Sequence, residues 1–302
     1  MKTSWIRKNG TFIPWDETKD HHLTNSLHYG GAVFEGIRLY DTPQGPKIFR
    51  LKEHIERLLY SAKVMHIMLP YTEEELMEAT LELVKKNEIT QGYIRPIIYL
   101  WEGNMSLNTT DMKPEVVISL WNRWKYLSDT GIRVKIPSIR RIHPQTTDMN
   151  AKISGNYANS ILAGNEVHAA GYNEALLLDT QGNIAEGPGE NIFFIKNGQL
   201  FTPTLGNILP GITRKSIITI AQQELGIQVQ EITIPADSIW AYDEAFFVGT
   251  AAEVTPIASI TNEQGTTFNY TSQDKEAITQ KIKKIYQEIV HGENAAYKER
   301  LR

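Results

Sequence analysis

Apolar and polar positions change period several times along the chain, and each change predicts an element. Residues 5–8 and 11–13 flank Asn9-Gly10, which predicts a two-residue hairpin. A further strand is expected over residues 33–40. It turns through Asp41-Thr42-Pro43-Gln44-Gly45-Pro46 and returns over residues 47–50. The period then lengthens: Ile55, Leu58, Leu59, Ala62 and Met65 recur at helical spacing. Thr72 and Glu75 make a capping-box pair ahead of Leu76, Ala79 and Leu83, so a second helix starts there and ends before Gly92. Residues 93–100 and 115–120 read as strands.

The pattern breaks between Trp121 and Gly131, and a domain boundary is expected there. The division is a small α/β domain over residues 1–122, an interdomain loop over 123–134 and a larger domain over 135–302. A strand over residues 132–136 comes first in the second half, followed by an irregular stretch to about Asn150. A helix over 155–168 ends near Gly171. Residues 174–178 turn at Gly182 into a strand at Ile184, and 192–195 turn at Asn197-Gly198 into 200–201. A helix over 212–225 stops at Gly226. A strand covers 245–248, and the last helix carries Ile278, Ile282, Ile285 and Ile289. This order argues against a simple alternating barrel. It predicts a two-domain α+β (mixed α/β) fold.

Composition adds limits. The 302 residues are 41% hydrophobic and 22% charged, enough for about two cores in an ordinary soluble protein. The net charge of -4 gives no reason to expect nucleic acid or an anionic membrane as a partner. With no cysteine, disulfides, thiolate metal sites and a cysteine nucleophile are excluded. His21-His22 lacks a second ligand cluster, so no metal site is expected. No apolar run is long enough to span a bilayer. Met1-Lys2-Thr3-Ser4-Trp5 leads into polar sequence, so no secretory signal is expected. The expectation is a cytoplasmic enzyme of small metabolites.

Four features could carry chemistry. Lys152 lies among small and semi-polar residues ahead of a helix; a lysine that attacks an aldehyde must be neutral, which needs partial burial. Most lysines, however, are solvated. Glu186 is either an exposed turn carboxylate or the partner of a pyridinium nitrogen, with Gly187 and Gly189 admitting a flat ring. Gly211-Ile212-Thr213 opens a helix after Pro210, and Thr250 follows Gly249 at a strand end; each is an ordinary terminus or part of an anion cradle. Arg57 is either an i,i+4 surface partner of Glu53 or a guanidinium fork on a phosphate. Together they suit pyridoxal 5'-phosphate.

The ordered set of segments resembles the branched-chain aminotransferases, within the fold-type IV pyridoxal-phosphate enzymes. The segments are His28-Tyr29-Gly30, Phe34-Glu35-Gly36-Ile37-Arg38, Tyr93-Ile94-Arg95-Pro96, Ala151-Lys152 through Asn156-Tyr157, Glu186-Gly187 with Gly189-Glu190-Asn191, Leu209 through Arg214, and Gly249 through Glu253. The resemblance implies that Lys152 binds the cofactor's aldehyde and later moves a proton. It implies that Glu186 faces the ring nitrogen, Tyr157 meets the ring's phenolic oxygen, and Arg57, Ile212, Thr213 and Thr250 hold the phosphate, with Gly189 beside the cofactor. Tyr93, Thr250 and Ala251 would meet the substrate α-carboxylate. Tyr29, Phe34, Tyr126 and Tyr157 would wall an apolar pocket, with Gly36 lining it. Arg38 and Arg95 would accept a glutamate carboxylate.

The implied reaction moves an amino group between leucine, isoleucine or valine and 2-oxoglutarate, giving glutamate, by a ping-pong route. A buried Arg95 would need a resting partner. The implied assembly is a homodimer or a larger homo-oligomer of dimers, with Leu107 reaching a neighbouring subunit. Arg123-Trp124 departs from the Trp-Gly that the family often has there, and Ser106 replaces a common glycine. Other readings are a D-amino-acid aminotransferase, an (R)-amine transaminase, an aminodeoxychorismate lyase, or a binding protein without catalysis.

Overall fold

In the computed structural model, which describes residues 2–101, 105–122, 127 and 130–302, Asn9 and Gly10 take φ of 48° and 80°. Both are left-handed, as a tight hairpin between twisted strands requires, and they join β1 (Trp5–Lys8) to β2 (Thr11–Pro14). A short helix α1 (Asn25–Tyr29) follows. The strand expected over 33–40 is in fact two, β3 (Ala32–Phe34) and β4 (Ile37–Tyr40). Both keep one register on the later strand that carries Pro96. The gap at Glu35 and Gly36 falls opposite Pro96, whose carbonyl accepts from Glu35 N–H at 2.9 Å but which has no N–H to return. β5 (Lys47–Ile48) pairs back on β4. The capping box forms at Thr72 and Glu75, so α2 (Leu51–Val64) is followed by α3 (Glu73–Asn87) where the spacing put it. β6 (Gly92–Leu100) and β7 (Pro114–Trp121) complete a sheet in the order β2-β1-β7-β6-β4-β5, with β3 beside β6. Its core joins Ile55, Leu58 and Leu83 of the helices to Ile94, Ile98 and Ile118 of the strands.

The chain forms two compact units. One comprises Met1–Trp124, Ala151–Asn156 and Ile289–Arg302; the other comprises Lys125–Asn150 and Tyr157–Glu288. The segment holding Lys152 therefore belongs with the first sheet. Ile153 bridges Val33 of β3 and is buried in that core.

The second unit holds β8 (Ile132–Lys135), α4 (Tyr157–Ala169), β9 (Glu174–Ala175), β10 (Asn191–Lys196), β11 (Gln199–Pro203), α5 (Ile212–Glu224), β12 (Val229–Ile232), β13 (Glu244–Gly249), β14 (Glu253–Thr261) and β15 (Thr267–Asn269). Its sheet runs β12-β11-β10-β13-β14-β8-β9, with β15 beside β14. Phe194, Phe247, Ile192 and Ile257 are fully buried in its core. β12 and β14 were not foreseen. β14 contains Pro256, which reads against a strand because it cannot donate to a ladder. Pro256 stands opposite Phe246 of β13, while β8 joins β14 only from Ile257 onward. The last helix, α6 (Ile278–Val290), starts where Glu244 accepts hydrogen bonds from the Ile278 and Thr279 N–H groups at 2.9 and 2.8 Å.

Candidate active site

Lys152 is half-buried and held by its own backbone. Its N–H donates to Ser61 Oγ at 2.8 Å, and its carbonyl accepts from Phe34 N–H at 3.2 Å. Ser61 Oγ donates in turn to the Arg57 carbonyl at 2.7 Å, so α2 anchors the lysine. Gly155 N–H donates to the Gly30 carbonyl at 3.1 Å. A Cβ on Gly30 would fall 2.8 Å from Gly155 Cα, so both glycines are needed for that approach.

The Lys152 Nζ stands 4.9 Å from the centroid of the Phe34 ring. The Arg95 guanidinium carbon stands 4.7 Å from the same ring, 5.5 Å from Tyr93 and 5.9 Å from Trp121. The resting partner expected for Arg95 is thus a set of aromatic faces, and its Nε makes no hydrogen bond. Arg38 lies opposite Tyr93 in the β4–β6 register and is buried. Gly36 makes room for Tyr93: a Cβ there would fall 1.9 Å from the tyrosine hydroxyl. Tyr29 and Leu107 are exposed, and Tyr29 donates to the Met105 carbonyl at 3.1 Å. Tyr126, with Arg123 and Trp124, lies outside the described residues.

Arg57 does not pair with Glu53, as its i,i+4 spacing allows. Glu53 instead accepts from Arg50 Nε at 2.7 Å. Arg57 binds Glu35 side-on, donating from Nε at 2.6 Å and from a terminal nitrogen at 3.0 Å. Glu35 is fully buried, and His54 Nδ1 adds a third side-chain bond at 2.7 Å. Burial pushes the Glu35 carboxyl up, but the Arg57 and His54 charges and hydrogen bonds outweigh it and hold the group far below the usual carboxylate range. Burial holds the His54 imidazole down, against the pull of Glu35, and the Arg57 and Lys152 charges reinforce the lowering.

In the second unit Glu186 is buried, not the exposed turn carboxylate of the simpler reading. Its carbonyl accepts from Leu177 N–H at 2.9 Å, which fixes the loop that carries it. The carboxylate accepts from Arg141 Nε at 2.7 Å, from Asn191 Nδ2 at 3.0 Å and from Leu209 N–H at 3.2 Å. Three such donors suit the ionised carboxylate, the form that a protonated ring nitrogen needs. Asn191 also donates to the Leu209 carbonyl at 3.0 Å, tying Glu186 to the run before α5. Gly211 allows this, since a Cβ there would fall 2.0 Å from Asn191 Oδ1. Arg141 is itself aimed from its backbone: its N–H donates to the Leu178 carbonyl at 2.7 Å, and Asn159 of α4 holds the flanking Arg140 and Ile142.

Gly189 lies in a loop closed by Glu190, whose side chain accepts from Gly189 N–H at 3.0 Å. α5 begins at Ile212 with Gly211 as its N-cap and no side-chain cap, and Thr213 is buried in its first turn. Such an end favours an anion. Thr250 and Ala251 form the half-buried tip of the β13–β14 hairpin. Glu253 closes that hairpin at φ 54°, a conformation that costs a non-glycine residue energy, and Gln287 holds its carboxylate at 3.1 Å. Tyr157 is the half-buried first residue of α4. In the first unit the half-buried lysine suits an aldehyde; in the second, the buried carboxylate suits a protonated ring nitrogen and the start of α5 suits a phosphate, so the residues of each unit fit pyridoxal phosphate.

The supporting residues Glu35, His54, Arg141 and Asn191 were not given roles from sequence. Glu35 left one trace, a charge inside the apolar run from Val33 to Ile37. Arg141 left none.

A family described as amino-transferase class IV matches residues 32–260, and the chain belongs to that family of pyridoxal-phosphate-dependent transferases. A branched-chain-amino-acid aminotransferase of Pseudomonas aeruginosa is 40% identical over 295 residues, covering 96% of this chain and 94% of the relative. The branched-chain aminotransferase of Thermoproteus uzoniensis, solved with norvaline, superposes with a TM-score of 0.93 at 41% identity, covering 99% of both chains. A second solved branched-chain amino acid aminotransferase, complexed with N-(5'-phosphopyridoxyl)-L-glutamate, also gives 0.93 at 39% identity, covering 100% of this chain and 99% of that one. Within the class-IV family, the chain therefore groups with the branched-chain-amino-acid aminotransferases.

Proposed function

We propose that the chain moves the amino group between L-leucine, L-isoleucine or L-valine and 2-oxoglutarate, in two half-reactions of a ping-pong cycle. The observation that carries this reading is the Phe34 ring, with Lys152 at 4.9 Å and Arg95 at 4.7 Å. One aromatic wall suits an apolar side chain, and the guanidinium on it suits the carboxylate of glutamate. The relatives solved with norvaline and with a phosphopyridoxyl-glutamate support a site that takes both kinds.

Bound pyridoxal phosphate supplies an electron sink for charge developing at the substrate α-carbon. Lys152 Nζ would hold the cofactor through its aldehyde and would be the group that moves the substrate's α-proton. Glu186, bound by Arg141 and Asn191, would hold a protonated ring nitrogen. Tyr157 would donate to the ring's phenolic oxygen. Arg57, the first N–H groups of α5 at Ile212 and Thr213, and Thr250 hold the phosphate, with Gly189 beside the cofactor. Tyr93 and the Thr250 and Ala251 N–H groups orient the substrate carboxylate. Tyr29, Gly36 and Tyr126 line the side-chain pocket, and Arg38 assists Arg95.

We also infer a cytoplasmic dimer. Leu27 and Leu107 are 71% and 79% exposed, and Asn25 and Tyr29 tie α1 to the loop at residues 105–107. An apolar patch of this kind marks an interface, and light scattering of the purified chain checks it. Initial velocities with L-leucine and 2-oxoglutarate test the reaction. Parallel double-reciprocal lines are expected; converging lines refute the ping-pong route. Activity on D-alanine or 1-phenylethylamine, with none on L-leucine, refutes the substrate class.

A further inference from the structure

We propose that Glu35 and His54 are positioning residues for anion capture by Arg57. The buried carboxylate locks the guanidinium side-on, and His54 locks the carboxylate. This rests on the reading that Arg57 holds the cofactor's phosphate.

The placement of Glu35 is costly in a way that a purely structural role does not require. A fully buried charge is destabilising unless paired and hydrogen-bonded, and a well-packed apolar group is often the more stable alternative. Glu35 stands opposite Pro96 in the gap between β3 and β4, and the two strands keep one register on β6 across it. The Glu35 N–H is satisfied there, donating to the Pro96 carbonyl at 2.9 Å. The side chain accepts two bonds from Arg57, one from His54 and one from Gly36 N–H at 3.3 Å.

His54, Arg57 and Ser61 follow at i, i+3 and i+7 on α2, so they share one face. Ser61 on that face holds the Lys152 backbone at 2.8 Å. The same face therefore sets both the lysine and the arginine. The charges around His54 are Glu35 from the β3–β4 turn, Arg57 on its own helix, Lys152 from the 151–156 segment, and Glu53 near the start of α2. Neutral His54 donates its Nδ1 proton to an ionised Glu35, and Glu35 balances Arg57.

An arginine side chain has many rotamers, and ordering it on binding weakens affinity. A guanidinium already held through Nε and one terminal nitrogen avoids that loss. The expected effect is about tenfold in phosphate-dependent affinity.

The test uses the full chain freed of cofactor and titrated with pyridoxal phosphate and, separately, with pyridoxal, which lacks the phosphate. Thermal melts of the same samples report folding. Glu35→Gln puts an amide N–H among donors, and His54→Ala removes the donor to Glu35. Each is expected to weaken pyridoxal phosphate about tenfold or more while changing pyridoxal less than about twofold. His54→Asn, which keeps an N–H near the Nδ1 position, is expected to restore most of the loss. If Glu35→Gln does not fold, His54→Ala against His54→Asn reads the same contrast. Unchanged or tighter pyridoxal phosphate binding overturns the proposal, as does an equal loss for both ligands. Arg57→Ala separates the two readings. If it leaves the preference for the phosphorylated ligand intact, Arg57 does not hold the phosphate and the positioning proposal falls with it. If it abolishes the preference while Glu35→Gln and His54→Ala do not, the positioning proposal alone fails.

Discussion

Gly36→Ala puts a methyl group where the Tyr93 hydroxyl stands. The added Cβ would lie 1.9 Å from that oxygen and 2.8 Å from the ring carbon bearing it. Carbon–oxygen contacts below about 3 Å do not persist, so the hydroxyl must retreat by about 1 Å or the β3–β4 turn must open. Tyr93 has little room, because its ring is 5.2 Å from Trp121 and 5.5 Å from the Arg95 guanidinium. Overpacking of this kind costs about 1–3 kcal/mol of stability. If Tyr93 donates to the substrate carboxylate, displacing it also removes a hydrogen bond to a charged group, about 1.5–3 kcal/mol. That corresponds to roughly a 10–150-fold loss in kcat/KM for L-leucine. Tyr93→Phe should lose a similar factor at little cost in melting temperature. The decisive assay is the double-mutant cycle of Gly36→Ala and Tyr93→Phe. The 2.8 Å contact with the ring carbon remains without the hydroxyl, but its displacement then removes no further hydrogen bond, so the combined loss in kcat/KM should be close to that of either change alone. Losses that multiply would refute the argument that Gly36 acts through Tyr93.

Gly211→Ala should displace Asn191, which its Cβ would meet at 2.0 Å, and loosen the hold on Glu186; cofactor affinity measured by titration should fall at least about tenfold. Arg141→Met removes the 2.7 Å bond to Glu186 and leaves that buried carboxylate short of its charged donor; a stability loss of about 1.5–3 kcal/mol in urea unfolding is expected. Stability should also fall as pH falls. Above pH 6.5, His54 is neutral both folded and unfolded; below it the unfolded histidine binds a proton that the buried one resists, so stability is lost as pH falls towards the folded pKa. Glu35 adds a second loss below about pH 4.5, where unfolded glutamates protonate and Glu35 stays ionised. Unfolding measured across this range should show both losses, and His54→Asn should remove the upper one and leave a smaller lower one, since Arg57 still holds Glu35 low.

The parts legible in sequence were those decided locally. The Thr72–Glu75 capping box and the Asn9-Gly10 turn are set by neighbours within a few residues, and both formed as read. Lys152, Glu186 and Arg57 were legible as candidates because their residue types and order matched a known pattern. Their supports were not. Arg57 finds Glu35 across 22 residues, and Arg141 finds Glu186 across 45, so no local spacing marks either pair. The break at Glu35 and Gly36 was missed because it depends on the partner strand: Pro96 of β6 stands opposite Glu35 and has no N–H to return. β14 was hidden by Pro256, whose cost depends on which neighbouring strand is present.

Lys152 is the residue proposed to bind the cofactor's aldehyde and move the proton. The direct measurement is a half-reaction: the yellow enzyme is mixed with L-leucine without any oxo acid, and its visible absorption is followed beside that of Lys152→Ala loaded with pyridoxal phosphate. The native chain should lose its colour in a single turnover and release the branched 2-oxo acid. The variant should form no oxo acid on that timescale. A variant that releases oxo acid at the native rate would contradict the assignment.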